Sequence, residues 1–268
     1  LTDIYLGAVP IHFNGEKFGV KIPGEIMDYA VKMKRLEAAR QMHLLLQNDQ
    51  VKIADVEAIA EIVADFHHRA KTVSRPFDEQ ATAADFADIQ SVVPLLAGQV
   101  NAILEKEIAA WVDLAKAFLA KTSARFQQRI EAGMVRDGHG DLHSGNIFLL
   151  EKPVIFDCIE FSAHFRENDI LSETAFLCMD LERHGRQDLA KAFLKKYTAL
   201  FPCINGREDE AIFQYFLLYR ASVRLKISAL RLQGKLAGGE KDCSEEMREI
   251  RQLEQLCRRY AQALAAAF

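Results

Sequence analysis

Three polar side chains in the middle of the chain have types and spacing that suit chemistry. Asp141 is followed five residues later by Asn146, and Asp157 comes after two apolar runs. In phosphoryl transfer, an Asp accepts the proton of a hydroxyl group, while an Asn amide oxygen and a second Asp hold Mg²⁺ against nucleotide phosphates. Mg²⁺ prefers such hard oxygen ligands. The pattern predicts Asp141 as a base and Asn146 and Asp157 as metal ligands.

The two apolar runs, 147–150 and 154–157, predict a β-hairpin around a three-residue turn. If the turn is centred at Lys152, Asp157 lies opposite Ile147, one residue from Asn146. Asn146 and Asp157 are therefore expected side by side at one end of the hairpin. Gly140 and Gly145 allow tight backbone at both ends of the loop that carries Asp141.

The segments that must position these residues indicate an α+β chain. Alternating strand-like runs with turn signals at Asn14-Gly15 and Pro23-Gly24 predict a small antiparallel sheet before residue 36. Strand-like composition returns only at 134–161. Elsewhere the apolar spacing is helical. Helices are expected at about 51–66, through the eighties from Thr82, at 98–132 with a break near Thr122-Ser123, and at 169–184, 187–201, 208–233 and 243–267.

The motif segments resemble a known family. The run from His139 through Asp141 and His143 to Asn146, followed by Phe156-Asp157, is similar to the catalytic and metal-binding motifs of the aminoglycoside phosphotransferase (APH)-like branch of the protein-kinase-like fold. A bacterial subgroup of uncharacterised APH-like proteins resembles the chain more closely. Its recurring segments match GHGDLH, FDCIEF and FLCMDLE here, at 138–143, 156–161 and 176–182.

The resemblance implies a two-lobe fold and an ATP-dependent small-molecule kinase. Residues 1–36 would form a truncated β-rich N-lobe and hinge. Residues 37–268 would form a mostly helical C-lobe with the hairpin at 134–161. ATP and Mg²⁺ would be the cofactors, and a small molecule would supply the acceptor hydroxyl. Some members of the subgroup also carry a C-terminal P-loop kinase domain, which the resemblance implies as a partner in a longer parent protein.

Two features of the family lack a clear match in this chain. The phosphate-clamping lysine and its partner Glu are expected upstream of Tyr5, so the chain by itself is expected to bind ATP weakly. Lys32, in a strand resembling the kinase lysine motif, is the competing candidate. An Asp that braces the catalytic loop is matched here by Glu173 or Asp169. The aligned hinge, whose backbone would face adenine, comprises Met33, Lys34, Arg35 and Leu36.

Other functions remain open from the sequence. His139, Asp141 and His143 could instead be the metal ligands of a hydrolase, with His67-His68 completing the set. The chain could also be a non-catalytic kinase-like binding module. Structural roles are favoured for His67-His68 and His139, and a core position for Trp111.

Arg220 and Arg224 share a helix face. They are interpreted as a solvated surface in preference to the wall of a pocket for an anionic substrate.

Composition narrows the class of protein further. The chain has 268 residues with a formal net charge of -4, which does not favour a nucleic-acid partner. No apolar run approaches a membrane span of about 18 residues. The five dispersed cysteines favour packing roles in a reducing, cytoplasmic compartment. No signal peptide or initiating Met is visible, so we expect a fragment or a processed product.

Overall fold

The computed structural model describes residues 4–268 and has an α+β architecture, with small sheets and a mostly helical C-terminal part. The strands are β1 (Tyr5–Phe13), β2 (Phe18–Gly19), β3 (Glu25–Met33), β4 (Val135–Asp137), β5 (Ile147–Leu149), β6 (Pro153–Ile155) and β7 (Glu167–Asp169). They form three antiparallel sheets, ordered β2-β1-β3, β4-β7 and β5-β6.

Ten α-helices make up most of the described chain. They are α1 (Met42–Gln47), α2 (Ile53–Arg69), α3 (Glu79–Ala87), α4 (Val93–Gln99), α5 (Ile103–Glu131), α6 (Ala163–Arg166), α7 (Ile170–Arg183), α8 (Gln187–Leu200), α9 (Arg207–Ala237) and α10 (Ser244–Ala267). The predicted helices after residue 169 are confirmed. Short 3₁₀ turns occupy Ala38–Arg40, Asp88–Val92 and Ser144–Asn146.

The core lies among the helices, and α7 is its central element. Every residue at 170–181 is buried, because α7 packs against both α8 and α9. Helix α10 lies along α9, and α2 lies along α8. Trp111, on α5, is buried in this core, which confirms its predicted position. Packing roles were predicted for all five cysteines: Cys178, Cys203 and Cys257 are buried, whereas Cys158 and Cys243 are only partly buried.

The predicted break in the long helix near Thr122-Ser123 is wrong. Helix α5 continues for 29 residues through this point. The Thr122 hydroxyl donates a hydrogen bond to the Phe118 carbonyl one turn earlier, at 2.7 Å. A buried threonine therefore satisfies its own polar group within the helix and need not end it.

The N-terminal sheet is a small antiparallel unit, as the turn signals predict. Both of its faces are largely open, and Tyr29 and Val31 on β3 are each 64% exposed. No helix of residues 4–268 has both the length and the apolar character needed to cross a membrane.

Candidate functional site

The structure brings two of the predicted site residues into direct contact. Residues 138–146, here called the Asp141 loop, connect β4 to β5 and carry both Asp141 and Asn146. The Asn146 amide nitrogen donates to the backbone carbonyl of Asp141 at 3.0 Å and to its Oδ2 at 3.1 Å. Within residues 4–268 the Asn146 Oδ1 accepts no hydrogen bond, so this amide orientation leaves an oxygen available to a cation.

The predicted hairpin is present, but the predicted strand register is wrong by two residues. Ile147 pairs with Ile155, where the sequence argument placed it opposite Asp157. Strand β6 begins one residue earlier than expected, because Pro153 joins it opposite Leu149. An edge strand accommodates proline, which has no N–H to donate. A register shift of two residues leaves each side chain on the face of the hairpin that was predicted for it. Beyond the paired strands, the Phe156 N–H donates to the Asn146 carbonyl at 3.1 Å.

Asp157 therefore lies just beyond the end of the hairpin nearest Asn146. Its backbone φ of 63° is in the left-handed region, which Asp tolerates better than most residues. Its N–H donates to the Tyr5 hydroxyl at 2.9 Å, which connects the start of β1 to this turn. Asp157 is exposed, and among residues 4–268 its carboxylate has no hydrogen-bond or ion-pair partner.

Asp141 is half-buried and is held by His143. The Gly145 N–H donates to Nδ1 of His143 at 3.0 Å, so the ring proton lies on Nε2, which is 3.3 Å from Asp141 Oδ2. Burial would raise the pKa of Asp141, but the His143 hydrogen bond and the charges of Arg224 and Arg220 outweigh it and lower that pKa. Asp141 is consequently ionised at neutral pH.

Glu173 braces the start of the Asp141 loop. Its carboxylate accepts the His139 N–H at 2.9 Å, and the Gly140 N–H lies 3.5 Å from the same oxygen. A Cβ at Gly138 would overlap this carboxylate, so the sequence needs glycine there. Asp169, the other candidate, instead pairs with Arg129 on α5 and caps α7. Of the two carboxylates proposed from the sequence, Glu173 makes the contact with the loop.

His67 supports Glu173 from helix α2. Its Nε2 lies 3.5 Å from Glu173 Oε1, and its Nδ1 lies 2.6 Å from the Tyr197 hydroxyl. Burial would raise the pKa of Glu173, but His67, His139 and the backbone N–H of His139 outweigh it and lower that pKa to about 2. The structural role favoured for His67 is confirmed.

Asp180 braces the other end of the loop, and the sequence analysis missed it. Its carboxylate accepts hydrogen bonds from both the N–H and the hydroxyl of Ser144. Burial would raise the pKa of Asp180, but the charge of Arg183, which forms an ion pair with it, outweighs burial and lowers that pKa. Glu173 and Asp180 are seven residues apart on one helix. The sequence signal that could have predicted Asp180 is the presence of two carboxylates on one face of an otherwise apolar helix.

The structure does not assemble His139, Asp141 and His143 into a metal centre. His139 is buried, with Nε2 2.7 Å from the Phe156 carbonyl and Nδ1 facing the Asp141 N–H at 3.3 Å, so both ring nitrogens contact backbone. This is the structural role that the sequence analysis favoured for it. Among residues 4–268, no group of three or more His, Cys, Asp or Glu side chains could hold a metal ion.

The interpretation of Arg220 as a solvated surface residue is wrong. Arg220 is buried and donates to Ser172 Oγ at 3.1 Å and to the Gly140 carbonyl at 3.2 Å. Arg224, one turn later, pairs with Glu249 of α10 at 3.2 Å. This stretch of α9 is enclosed because α9 packs against both α7 and α10. Burial lowers the pKa of Arg220.

A cavity of about 720 Å³ opens beside these residues, here called the Asp141 cavity. It combines charged groups with an apolar wall. Its lining includes Asp141, Asp157, Arg220, Arg224, Phe165 and Phe176. Its size is that of a small-molecule site. The base candidate and one metal-ligand candidate therefore border the same space.

The predicted hinge begins at the last residue of β3. Met33 is the last residue of that strand and pairs with Tyr5, whose hydroxyl contacts Asp157. Lys34 donates its N–H to the Ile4 carbonyl at 2.8 Å, and Arg35 and Leu36 continue without regular structure. The side chain of Lys32, the competing lysine, is exposed.

Comparison with known proteins gives relatives of unknown activity. No protein-family model matches the chain. An uncharacterized protein of Mycobacterium bovis and uncharacterized proteins from two strains of Mycobacterium tuberculosis are each 32% identical over 184 residues. The match covers 67% of this chain and 36% of each relative. The chain thus spans little more than a third of the length of the curated relatives it matches.

Proposed function

We propose that this protein is an ATP-dependent phosphotransferase that moves the γ-phosphoryl group to a hydroxyl of a small molecule. Its fold would be the APH-type two-lobe arrangement, with residues 1–36 in a β-rich N-lobe and 37–268 in a helical C-lobe. The observation that supports this most is the grouping of the three side chains. The Asn146 amide bonds Asp141, and Asp157 borders the same cavity as Asp141.

Asp141 has the properties that the base role requires. Its carboxylate borders the cavity and is ionised at neutral pH, so it is able to accept a hydrogen bond from an acceptor hydroxyl. Glu173 and Asp180 hold the loop on either side of it through backbone N–H groups. A fixed carboxylate can orient the hydroxyl and take its proton as the bond to phosphorus forms.

The free oxygens of Asn146 and Asp157 fit Mg²⁺. Magnesium sites in phosphoryl-transfer proteins use one or two carboxylates and are completed by water and substrate phosphates. When bound, Mg-ATP would supply the phosphoryl group, and the metal would neutralise its developing charge. The backbone of Met33, Lys34, Arg35 and Leu36 would contact adenine. The hydrogen bond between Asp157 and Tyr5 supports this because Tyr5 pairs with Met33.

The hydrolase alternative has less support. It needs ring nitrogens of His139 and His143 for a metal, but the His139 ring already contacts the Phe156 carbonyl, and the His143 ring already contacts Asp141 and the Gly145 N–H. The alternative of a non-catalytic binding module shares every feature of the site with the enzyme. Only an activity measurement separates these two.

A transfer assay tests the proposal. The purified protein is incubated with Mg²⁺, γ-labelled ATP and panels of sugars, amino alcohols and aminoglycosides, beside an Asp141→Asn variant. We expect label on at least one acceptor with the parent protein, and loss of that label with the variant. Binding of Mg-ATP without transfer to any acceptor would contradict the enzyme and favour the binding module. Equal transfer by both proteins would exclude Asp141 as the base.

A further inference from the structure

A second cavity borders the Asp141 loop at His143, Ser144 and Gly145. Its volume is about 850 Å³, and basic groups dominate its lining. The basic side chains other than His143 are Arg183, Arg224, Arg231, Arg248, His43 and His184. Glu245 and Glu249 are the acidic residues among its lining. We call this space the arginine cavity.

The charge of the arginine cavity comes from four guanidinium groups facing the carboxylates of Glu245 and Glu249, because burial lowers the pKa of His43 and of His184 and keeps these rings neutral at pH 7. Three guanidinium groups converge on the single carboxylate of Glu249, with Arg224 at 3.2 Å and Arg183 and Arg231 each at 3.4 Å. Arg183 also pairs with Asp180. Within residues 4–268, Arg248 has no ion-pair partner. Several guanidinium N–H groups therefore remain for an anion from outside.

Two buried nitrogen atoms at this cavity also lack partners among the described residues. They are Nδ1 of His43 and Nε of Arg224. Buried polar atoms in folded proteins are nearly always paired, so unpaired ones call for a specific explanation. Because neither atom is open to a water-sized molecule, a ligand in the cavity would bond them only after the two side chains turn towards it.

We propose that the arginine cavity binds a phosphorylated polar small molecule. Guanidinium groups match phosphate oxygens in charge and in planar, two-point geometry. The volume lies in the range of small-molecule sites and exceeds the need of a lone phosphate ion. Gln47 and Gln252 add neutral hydrogen-bonding groups for the remainder of the ligand. The inference rests on this cavity alone and not on the proposed phosphotransfer.

The arginine cavity lies close to Asp141. His143 lines the arginine cavity, and its Nε2 lies 3.3 Å from Asp141 Oδ2. Arg224 lines both cavities. A molecule held in the arginine cavity would therefore sit one side chain away from the candidate base.

Calorimetry without ATP or Mg²⁺ tests the site. The probes are ribose 5-phosphate and glycerol 3-phosphate, with ribose, glycerol and inorganic phosphate as matched ligands. We expect a phosphate ester to bind with a dissociation constant below about 1 mM, tighter than its unphosphorylated counterpart and than phosphate itself. Arg231→Gln and Arg248→Gln should each weaken binding by about tenfold, as loss of a charged hydrogen bond does.

The two variants suit the test because both side chains are exposed enough to change without unfolding the protein. Arg251→Gln is the matched control, since Arg251 is exposed on α10, the helix of Arg248, and does not line the cavity. It should bind the ester as the parent protein does. Three results would each overturn the proposal. They are no binding of both esters, equal binding of an ester and its parent alcohol, and an equal loss of ester binding in all three variants. None of these results depends on catalysis.

Discussion

Glu173 and Asp180 lie two turns apart on one buried helix and hold the two ends of the same loop. Glu173 accepts the His139 N–H at 2.9 Å, and Asp180 accepts the Ser144 N–H at 2.8 Å. Asp141 lies between these anchors. The loop is thus fixed through its backbone by carboxylates of α7, and the Asp141 carboxylate, held by His143 and Asn146, borders the cavity.

Asp141→Asn should reduce phosphotransfer turnover by about 10²–10⁴-fold, the usual contribution of a general base. Its stability should change little because the carboxylate is half-exposed. Since His143, Arg224 and Arg220 lower the pKa of Asp141 below its ordinary range, turnover should show no acidic limb from this group above about pH 4. Asp113→Asn, at an exposed site on α5, is the control. A pH profile that falls near 6.5 would point to a histidine base instead.

Asp157→Gly should remove the proposed metal ligand and keep the left-handed backbone conformation at this position. Glycine adopts a φ of 63° without strain, so the free energy of unfolding should change by less than about 1 kcal/mol. Binding of Mg-ATP should weaken by about tenfold or more because a charged ligand is lost. Urea unfolding and calorimetry measure the two effects. Asp49→Gly, at the other positive-φ Asp with φ 53°, should retain Mg-ATP binding. Unchanged binding by Asp157→Gly would exclude it as a ligand.

Acid should destabilise the fold through Glu173. Its pKa is about 2 when folded and near 4.3 when unfolded, so its stabilisation is complete above that unfolded value and is lost as the pH falls towards 2. Asp180 shifts in the same direction. Glu173→Gln should lose about 1.5–3 kcal/mol at pH 7 and show a flatter decline between pH 4.5 and 2. Urea unfolding across this range measures both. An acid dependence identical to that of the parent would refute the assignment.

Arg129→Met should lose about 3–5 kcal/mol of stability, because it leaves buried Asp169 and Asp209 without their shared partner. The guanidinium of Arg129 also donates to the Cys203 carbonyl at 2.7 Å, so it joins α5 to the starts of α7 and α9. Arg125→Met is the matched control. Arg125 pairs with the same Asp209 but is more exposed, and its loss should cost about 1 kcal/mol. Equal losses in thermal or urea unfolding would contradict this ranking.

The order of apolar and polar residues along the chain was enough to predict the local helices and the hairpin. Helical spacing predicted α2, α3 and the four helices after residue 169. Two apolar runs around a turn predicted the β5-β6 hairpin. Asp141 and Asn146 could be paired from their five-residue spacing, since a short loop keeps such residues near each other. These features depend on neighbours in the chain, whose side chains impose the period and the turn directly.

Contacts between distant segments were decided only by the tertiary structure. The contact of Glu173, and not Asp169, with the loop depends on how α7 lies beneath that loop. The burial of Arg220 depends on α7 and on the Asp141 loop, which contact it through Ser172 and the Gly140 carbonyl, 48 and 80 residues earlier in the chain. The hairpin register shifted by two residues because Pro153 joined the strand. Short apolar runs specify alternation, but neighbouring packing selects which residues pair. The sequence by itself determined the chemical groups and their local elements, and packing determined which of those groups meet.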